Sequence, residues 1–189
     1  LGSRFFSFGD LMRLENKLAA AREAFMKSLE VRERLALAAP EDAELRRDIG
    51  LCYERLGEVA RSEGDLVTAR DAHEKSFKIR ELLAAESPGD SVAQHNLSVS
   101  YQKLGEVARA EGNFGAAREA HKKSFEIIER LAAADPLNAE NQRSLSVAYN
   151  KLGEVARASG DIASARNFFE KSLEIFKLLA ASTPNDAKA

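Results

Sequence analysis

Apolar and polar positions along this chain alternate in steps of three and four residues. Between positions 43 and 63 the apolar side chains are Leu45, Ile49, Cys52, Tyr53, Leu56, Val59 and Ala60. That spacing lines one face of an α-helix and leaves the other face polar. A second run, over 66–87, carries Leu66, Ala69, His73, Phe77, Leu82 and Leu83 in the same manner. Between the runs stands Gly64-Asp65. Glycine suits the left-handed position that ends one helix, and aspartate caps the next. The pattern predicts two helices of about 21 residues, each a rod of roughly 31 Å at ~1.5 Å per residue.

The same layout returns along the chain. The string Leu-Gly-Glu-Val-Ala-Arg at 56–61 recurs unchanged at 104–109 and 152–157, an interval of 48 residues. The four prolines, Pro40, Pro88, Pro136 and Pro184, keep that interval. Two residues beyond each stands a helix-capping side chain: Asp42, Asp90, Asn138 and Asp186. The mid-repeat turn recurs as Gly112-Asn113 and Gly160-Asp161. The organisation expected is a truncated repeat at 1–42, complete repeats at 43–90, 91–138 and 139–186, and 187–189 as a tail or the start of another unit. In the truncated unit Gly9 aligns with Gly57, and Asn16 supplies the turn, since asparagine tolerates the left-handed conformation. A lone hairpin of this kind leaves apolar surface open, and stacking the next one closes it. The cuts near repeat boundaries suggest a fragment of a larger protein.

Composition narrows the function classes. With 44% hydrophobic and 31% charged residues the chain is globular. A net charge of −2 argues against a general grip on nucleic acid or an anionic membrane. The single cysteine, Cys52, excludes an intrachain disulfide framework and fits a reducing, cytoplasmic setting. No apolar run reaches the length of a membrane span, and residues 1–6 lack a signal-peptide layout.

The repeated residues resemble the tetratricopeptide repeat family. Its pattern, W-x2-L-G-x2-Y, then A-x3-F, then P, is followed at Leu56 and Gly57, with Tyr53 replacing the tryptophan and Ala60 the second aromatic, and with equivalents starting at Tyr101 and Tyr149. The second part is met by Ala21 with Phe25 and Ala165 with Phe169, while histidine replaces the phenylalanine in Ala69 with His73 and Ala117 with His121. The proline comes seven residues late, at Pro88 rather than Glu81, and seven further residues, 43–49, precede the usual start. Each helix is thus extended by about two turns at its outer end, similar to the long-helix repeats of kinesin light chains. The resemblance implies an all-α fold, a right-handed superhelical α-solenoid of stacked antiparallel helix hairpins. It also implies a non-catalytic scaffold that binds a peptide or protein segment in a concave groove lined by first helices. Glycine at the Leu-Gly position, here Gly57, Gly105 and Gly153, would let two helix backbones come close.

Mapped onto this sequence, the groove would hold Glu54, Gln102 and Asn150 in one row and Arg55, Lys103 and Lys151 in another. Arg47, His95 and Arg143 lie in the added upstream turns, and Leu51, Val99 and Val147 would form an apolar floor. The cationic rows suggest a ligand with acidic side chains, since the arginine fork matches a carboxylate. The bland alternative is that Glu58 and Arg61, with their equivalents, neutralise each other three residues apart on a wetted face. His73 and His121 share a slot with Phe25 and Phe169, so packing outweighs metal binding there, and no spacing completes a metal site. No cofactor, phosphate loop or catalytic set is expected. Ala120 becomes Phe168 and Ile128 becomes Phe176 in the last helix, while Phe5 and Phe6 load the N-terminal end. These rings predict self-association of the array ends, against the alternative that they fill gaps in their own hairpins. Two further arrangements are a recognition arm of a larger enzyme or signalling effector, and a self-associating structural spacer.

Overall fold

A computed structural model of the protein describes residues 1–182. Pro184, the predicted cap Asp186 and the segment 187–189 lie outside the described residues. Eight helices follow in order among them: α1 (Gly2–Leu14), α2 (Leu18–Ala38), α3 (Ala43–Ser62), α4 (Leu66–Glu86), α5 (Ser91–Ala110), α6 (Phe114–Ala134), α7 (Ala139–Ala158) and α8 (Ile162–Ser182). The helices expected at 43–63 and 66–87 end one residue early, at Ser62 and Glu86.

The boundaries follow from local chemistry. Asp42, Asp90 and Asn138 each accept hydrogen bonds from backbone N–H groups in the first turn of α3, α5 and α7. Asp65, Asn113 and Asp161 do the same for α4, α6 and α8. These caps satisfy donors that a helix start leaves orphaned. Gly64, Gly112 and Gly160 take φ of 84°, 77° and 83°, and Asn16 replaces them in the first turn at 57°.

Every extensive helix–helix contact is between chain neighbours: within the hairpins α1–α2, α3–α4, α5–α6 and α7–α8, and between them through α2–α3, α4–α5 and α6–α7. Such a series is an all-α solenoid rather than a closed bundle. The core is correspondingly divided into small clusters that each join three successive helices. Met12, Ala21, Phe25 and Val59 form the first, Ala60, Ala69 and Val107 the second, and Ala108, Ala117 and Val155 the third. Cys52, Ser100 and Ala148 occupy one buried small-residue slot. Burial raises the pKa of the Cys52 thiol, against the lowering effects of Ser28 and Arg32.

The repeated glycine has a different task from the expected one. A Cβ on Gly57 would lie 2.6 Å from the His73 ring, on Gly105 2.8 Å from the His121 ring, and on Gly153 2.7 Å from Phe169. The close approach is therefore of a ring on the second helix to the first helix.

Candidate functional site

The first-helix positions singled out from the sequence share one face. Arg47, Leu51, Arg55 and Glu58 are spaced by four, four and three residues along α3, so they stack on one side of the helix. Leu51 and Val99 are half-buried, and Val147 is exposed. Gln102 is half-buried and Asn150 is exposed. This face adjoins the next first helix, as the ion pairs across it show.

The Lys row is already engaged. Lys103 Nζ lies 2.7 Å from Glu58 of the preceding hairpin, and Lys151 Nζ lies 3.0 Å from Glu106. Arg55 continues the ladder toward α1, with Nε 3.2 Å from Asp10. Burial alone would raise the carboxyl pKa of Glu58 and Glu106, but the Lys103 and Lys151 ammonium groups outweigh it and hold both below the ordinary value. Half-buried pairs of this kind tie one repeat to the next. The pairing expected between Glu58 and Arg61 does not form: Glu58 turns to Lys103 and Arg55, and Arg61 is exposed. A glutamate held between two first helices meets the closer, less hydrated partner across the repeat.

Glu54 departs further from expectation. It is only 5% exposed, so it does not line an open groove. Its Oε2 lies 2.6 Å from Nη1 of Arg80, out of line for a hydrogen bond, and its Oε1 accepts from Arg55 at 3.0 Å. Arg80 also donates to the carbonyl of Asn96 and to Ser100, so this buried pair links α3, α4 and α5. Sequence reasoning missed the buried arginine. The available signal was its alignment with Ile128 and Phe176 on an otherwise apolar stripe. Arg32 fills the slot in α2, donating to Asp48 at 3.0 Å and to Cys52 Sγ at 3.2 Å, with its guanidinium over the Phe6 ring.

The upstream row is held more loosely. Arg47 reaches Asp90 at 3.6 Å, Arg143 reaches Glu140 at 3.7 Å, and both arginine side chains are substantially solvent-accessible. Exposed pairs at such distances contribute at most about 1 kcal/mol. His95 is half-buried beside them in the row.

Of the terminal rings, Phe6 packs on Phe25 with centroids 5.3 Å apart, and Phe168 lies 6.4 Å from Tyr149. Phe5 is half-buried with Lys27 over its ring. These three fill space against their own hairpins. Phe176 differs: it is 60% exposed, whereas Ile128 in the equivalent slot is 1% exposed and Arg80 6%.

His73 and His121 are buried, with both nitrogens of His73 and Nδ1 of His121 lacking hydrogen-bond partners. Burial pushes each imidazole down to about 4, helped by Lys103 at His73 and Lys151 at His121. Among the described residues no three His, Cys, Asp or Glu side chains gather as a metal site, and no helix is long and apolar enough to cross a membrane.

A nearest-neighbour stack of long hairpins with side chains spread along successive first helices defines a helical-repeat scaffold. Residues 100–178 match the tetratricopeptide repeat family. The constant 48-residue register carries the same helix-hairpin unit through the other described residues, whose solenoid fold is of the tetratricopeptide type. Scaffolds of this type serve protein–protein interaction in general and are typically non-catalytic. The solved structure of BtubC (BKLC) from P. vanneervenii is similar over 100% of this chain and 68% of its own, at 15% identity and a TM-score of 0.74. The DHF58 filament is similar over 95% of this chain and 92% of its own, at 16% identity and a TM-score of 0.54. At these identities the likeness is one of fold. No curated protein sequence matches this one.

Proposed function

We propose that the chain binds a protein segment along the face formed by its first helices. The observation that carries this reading is the division of charge on that face. Lys103 and Lys151 are spent on short ties between repeats, while Arg47 and Arg143 hold long, solvent-accessible pairs that a ligand carboxylate can replace. Leu51, Val99 and Val147 run beside the arginines as a partly open apolar strip, and the Gln102 and Asn150 amides are free for hydrogen bonding to a backbone. A segment with acidic side chains at one edge and apolar ones over the strip suits this surface. Glu54, Arg55, Lys103 and Lys151 are engaged within the array and stand outside this ligand-contact set. Affinity capture with the parent chain, compared with an Arg47→Glu/Arg143→Glu variant, tests it. Loss of the captured partner supports the assignment, and equal capture by both overturns it.

A second reading rests on Phe176. An exposed ring at a position that inner repeats bury supports end-to-end contact with another helix, from a further repeat or a second copy. Sedimentation of the parent and a Phe176→Arg variant over a range of concentrations separates these cases. Monomers throughout count against a second copy.

A further inference from the structure

The outer side of the array carries a cavity that the first-helix reading does not use. It lies between the second helices α6 and α8, over α7, with a volume of about 420 Å³. Phe125, Leu152 and Phe168 wall it, and Arg118 and Lys122 stand at one end. Pockets of this size with mainly apolar walls and a few placed charges are typical of ligand sites.

Three breaks in the repeat converge here. Arg22 and Arg70 pair with Glu63 and Glu111 of the following hairpin. The next carboxylate in that series is replaced by Ser159, and Arg118 donates to its hydroxyl at 3.2 Å instead. Arg118 is thereby left without a carboxylate within ion-pair distance. Nine residues after Ser159, the alanine of the other repeats (Ala24, Ala72, Ala120) becomes Phe168, which supplies the aromatic wall. Lys122 stands where the preceding repeat has Glu74. Relative to the preceding repeat, an acid has become a neutral group, an acid a base and a methyl a ring around this one hollow.

The charge is graded along the cavity. Arg118 and Lys122 precede Phe125 on α6, and Glu126 and Glu129 follow it, so the slot runs from positive through apolar to negative. From position 118 to 129 the helix rises roughly 16 Å. Asp161, also in the lining, is occupied in capping α8 through Ser164. The Lys122–Glu126 pair, at 3.9 Å and largely exposed, is weak enough to yield.

We infer that this cavity is a docking site for an amphipathic peptide segment that sets an acidic side chain on Arg118, a bulky apolar side chain between Phe125 and Phe168, and a basic side chain toward Glu129. This inference stands apart from the first-helix reading, because the two surfaces share no residue. The substitutions that test it restore residues found elsewhere in the same array, so the fold is kept: Ser159→Glu returns a carboxylate to Arg118, and Phe168→Ala removes the wall. The probe is a short fluorescein-labelled peptide with glutamates at one end, phenylalanine in the middle and lysines at the other, read by anisotropy. Two control peptides have the phenylalanine replaced by alanine, or all charges inverted in sign. The parent chain binds the probe and favours it over both controls. Ser159→Glu and Phe168→Ala each weaken binding by about tenfold, a change of ~1.4 kcal/mol. Ser159→Glu reduces the preference over the sign-inverted peptide, and Phe168→Ala reduces the preference over the alanine peptide. Absence of binding to the parent, equal binding of all three peptides, or binding unchanged in both variants overturns the inference. So does a concentration-dependent dimer that both substitutions dissolve, which would assign the cavity to a second copy.

Discussion

The central and outer hairpins solve the same packing problem with different chemistry. In α1–α2 and α7–α8, the ring seated over the first-helix glycine is Phe25 or Phe169, an apolar group with nothing to satisfy. In α3–α4 and α5–α6 it is His73 or His121, equally close to its glycine, with nitrogens left unpaired. A second slot varies in polarity without following that division, since Arg32 in the outer α2 is also buried, beside Asp48. Arg80 in α4 is buried with Glu54, while Ile128 two helices later fills the equivalent space with no charge at all. The 48-residue frame thus specifies shape more tightly than polarity. A slot must be filled by a side chain of the right size, and charge is admitted where a partner from the neighbouring hairpin reaches it. The two central hairpins carry a buried imidazole as a result, and its contribution to stability depends on pH in a way that the outer hairpins' phenylalanines avoid.

The largest test removes one member of the buried pair. Glu54→Ala leaves Arg80 uncompensated in the interior and should cost roughly 3–5 kcal/mol in denaturant unfolding. The double substitution Glu54→Gln/Arg80→Ile converts this repeat to the Gln102/Ile128 arrangement of the next one. It should recover most of that loss or exceed the parent, because an apolar replacement of a buried pair is often neutral or stabilising. A double variant as unstable as Glu54→Ala would show that the charge itself, rather than the filled slot, is required.

Acid sharpens the histidine comparison. The folded-state imidazoles titrate at about 4 against an ordinary value of 6.5, so the fold favours the neutral rings. Their contribution is complete above pH 6.5 and is lost as the pH falls toward 4, where the unfolded chain binds protons that the folded chain does not. Glu54, Glu58 and Glu106 oppose the shift at His73, and Glu106 opposes it at His121, but burial dominates at both. Between pH 7 and pH 5 the loss should be about 2 kcal/mol per ring. A His73→Phe/His121→Phe variant, copying the outer hairpins, should lose less over the same interval. Equal pH dependence in parent and variant would place the titration elsewhere.

Space, by contrast, should matter alike in both regions. Gly57→Ala and Gly153→Ala each drive a methyl into a ring, His73 or Phe169, and overpacking of this kind costs about 1–3 kcal/mol. Similar melting-temperature shifts are expected for the two. The smallest effects belong to the first-helix face. Lys103→Ala breaks a half-buried tie to Glu58 and should cost on the order of 1 kcal/mol, whereas Arg143→Ala, on an exposed pair, should stay within about 0.5 kcal/mol.

Much of this fold was legible in the residues. Capping side chains and left-handed glycines act within a few positions of one another, so helix ends could be placed to a residue at Ser62 and Glu86. Asn16 adopting the left-handed turn was legible for the same reason. The candidate face was legible as a set of rows but not in its accessibility. Glu54 and Arg55 are adjacent in sequence, and periodicity alone did not assign one to the interior with Arg80 and the other to the ladder with Asp10. The partner rows were visible in principle: bases at 55, 103 and 151 stand 45 residues after acids at 10, 58 and 106. The break beside the cavity, Ser159, was visible too, as a lapse in an otherwise regular acidic series.

By itself the sequence determined the helices, the hairpin unit and the interval at which it recurs, because periodicity, caps and turn residues are local interactions repeated along the chain. Tertiary structure alone decided which charges became structural ties and which stayed open to a partner. The strength of a charge depends on its distance from groups far along the chain and on how much water remains around it, and packing of one hairpin against the next sets both.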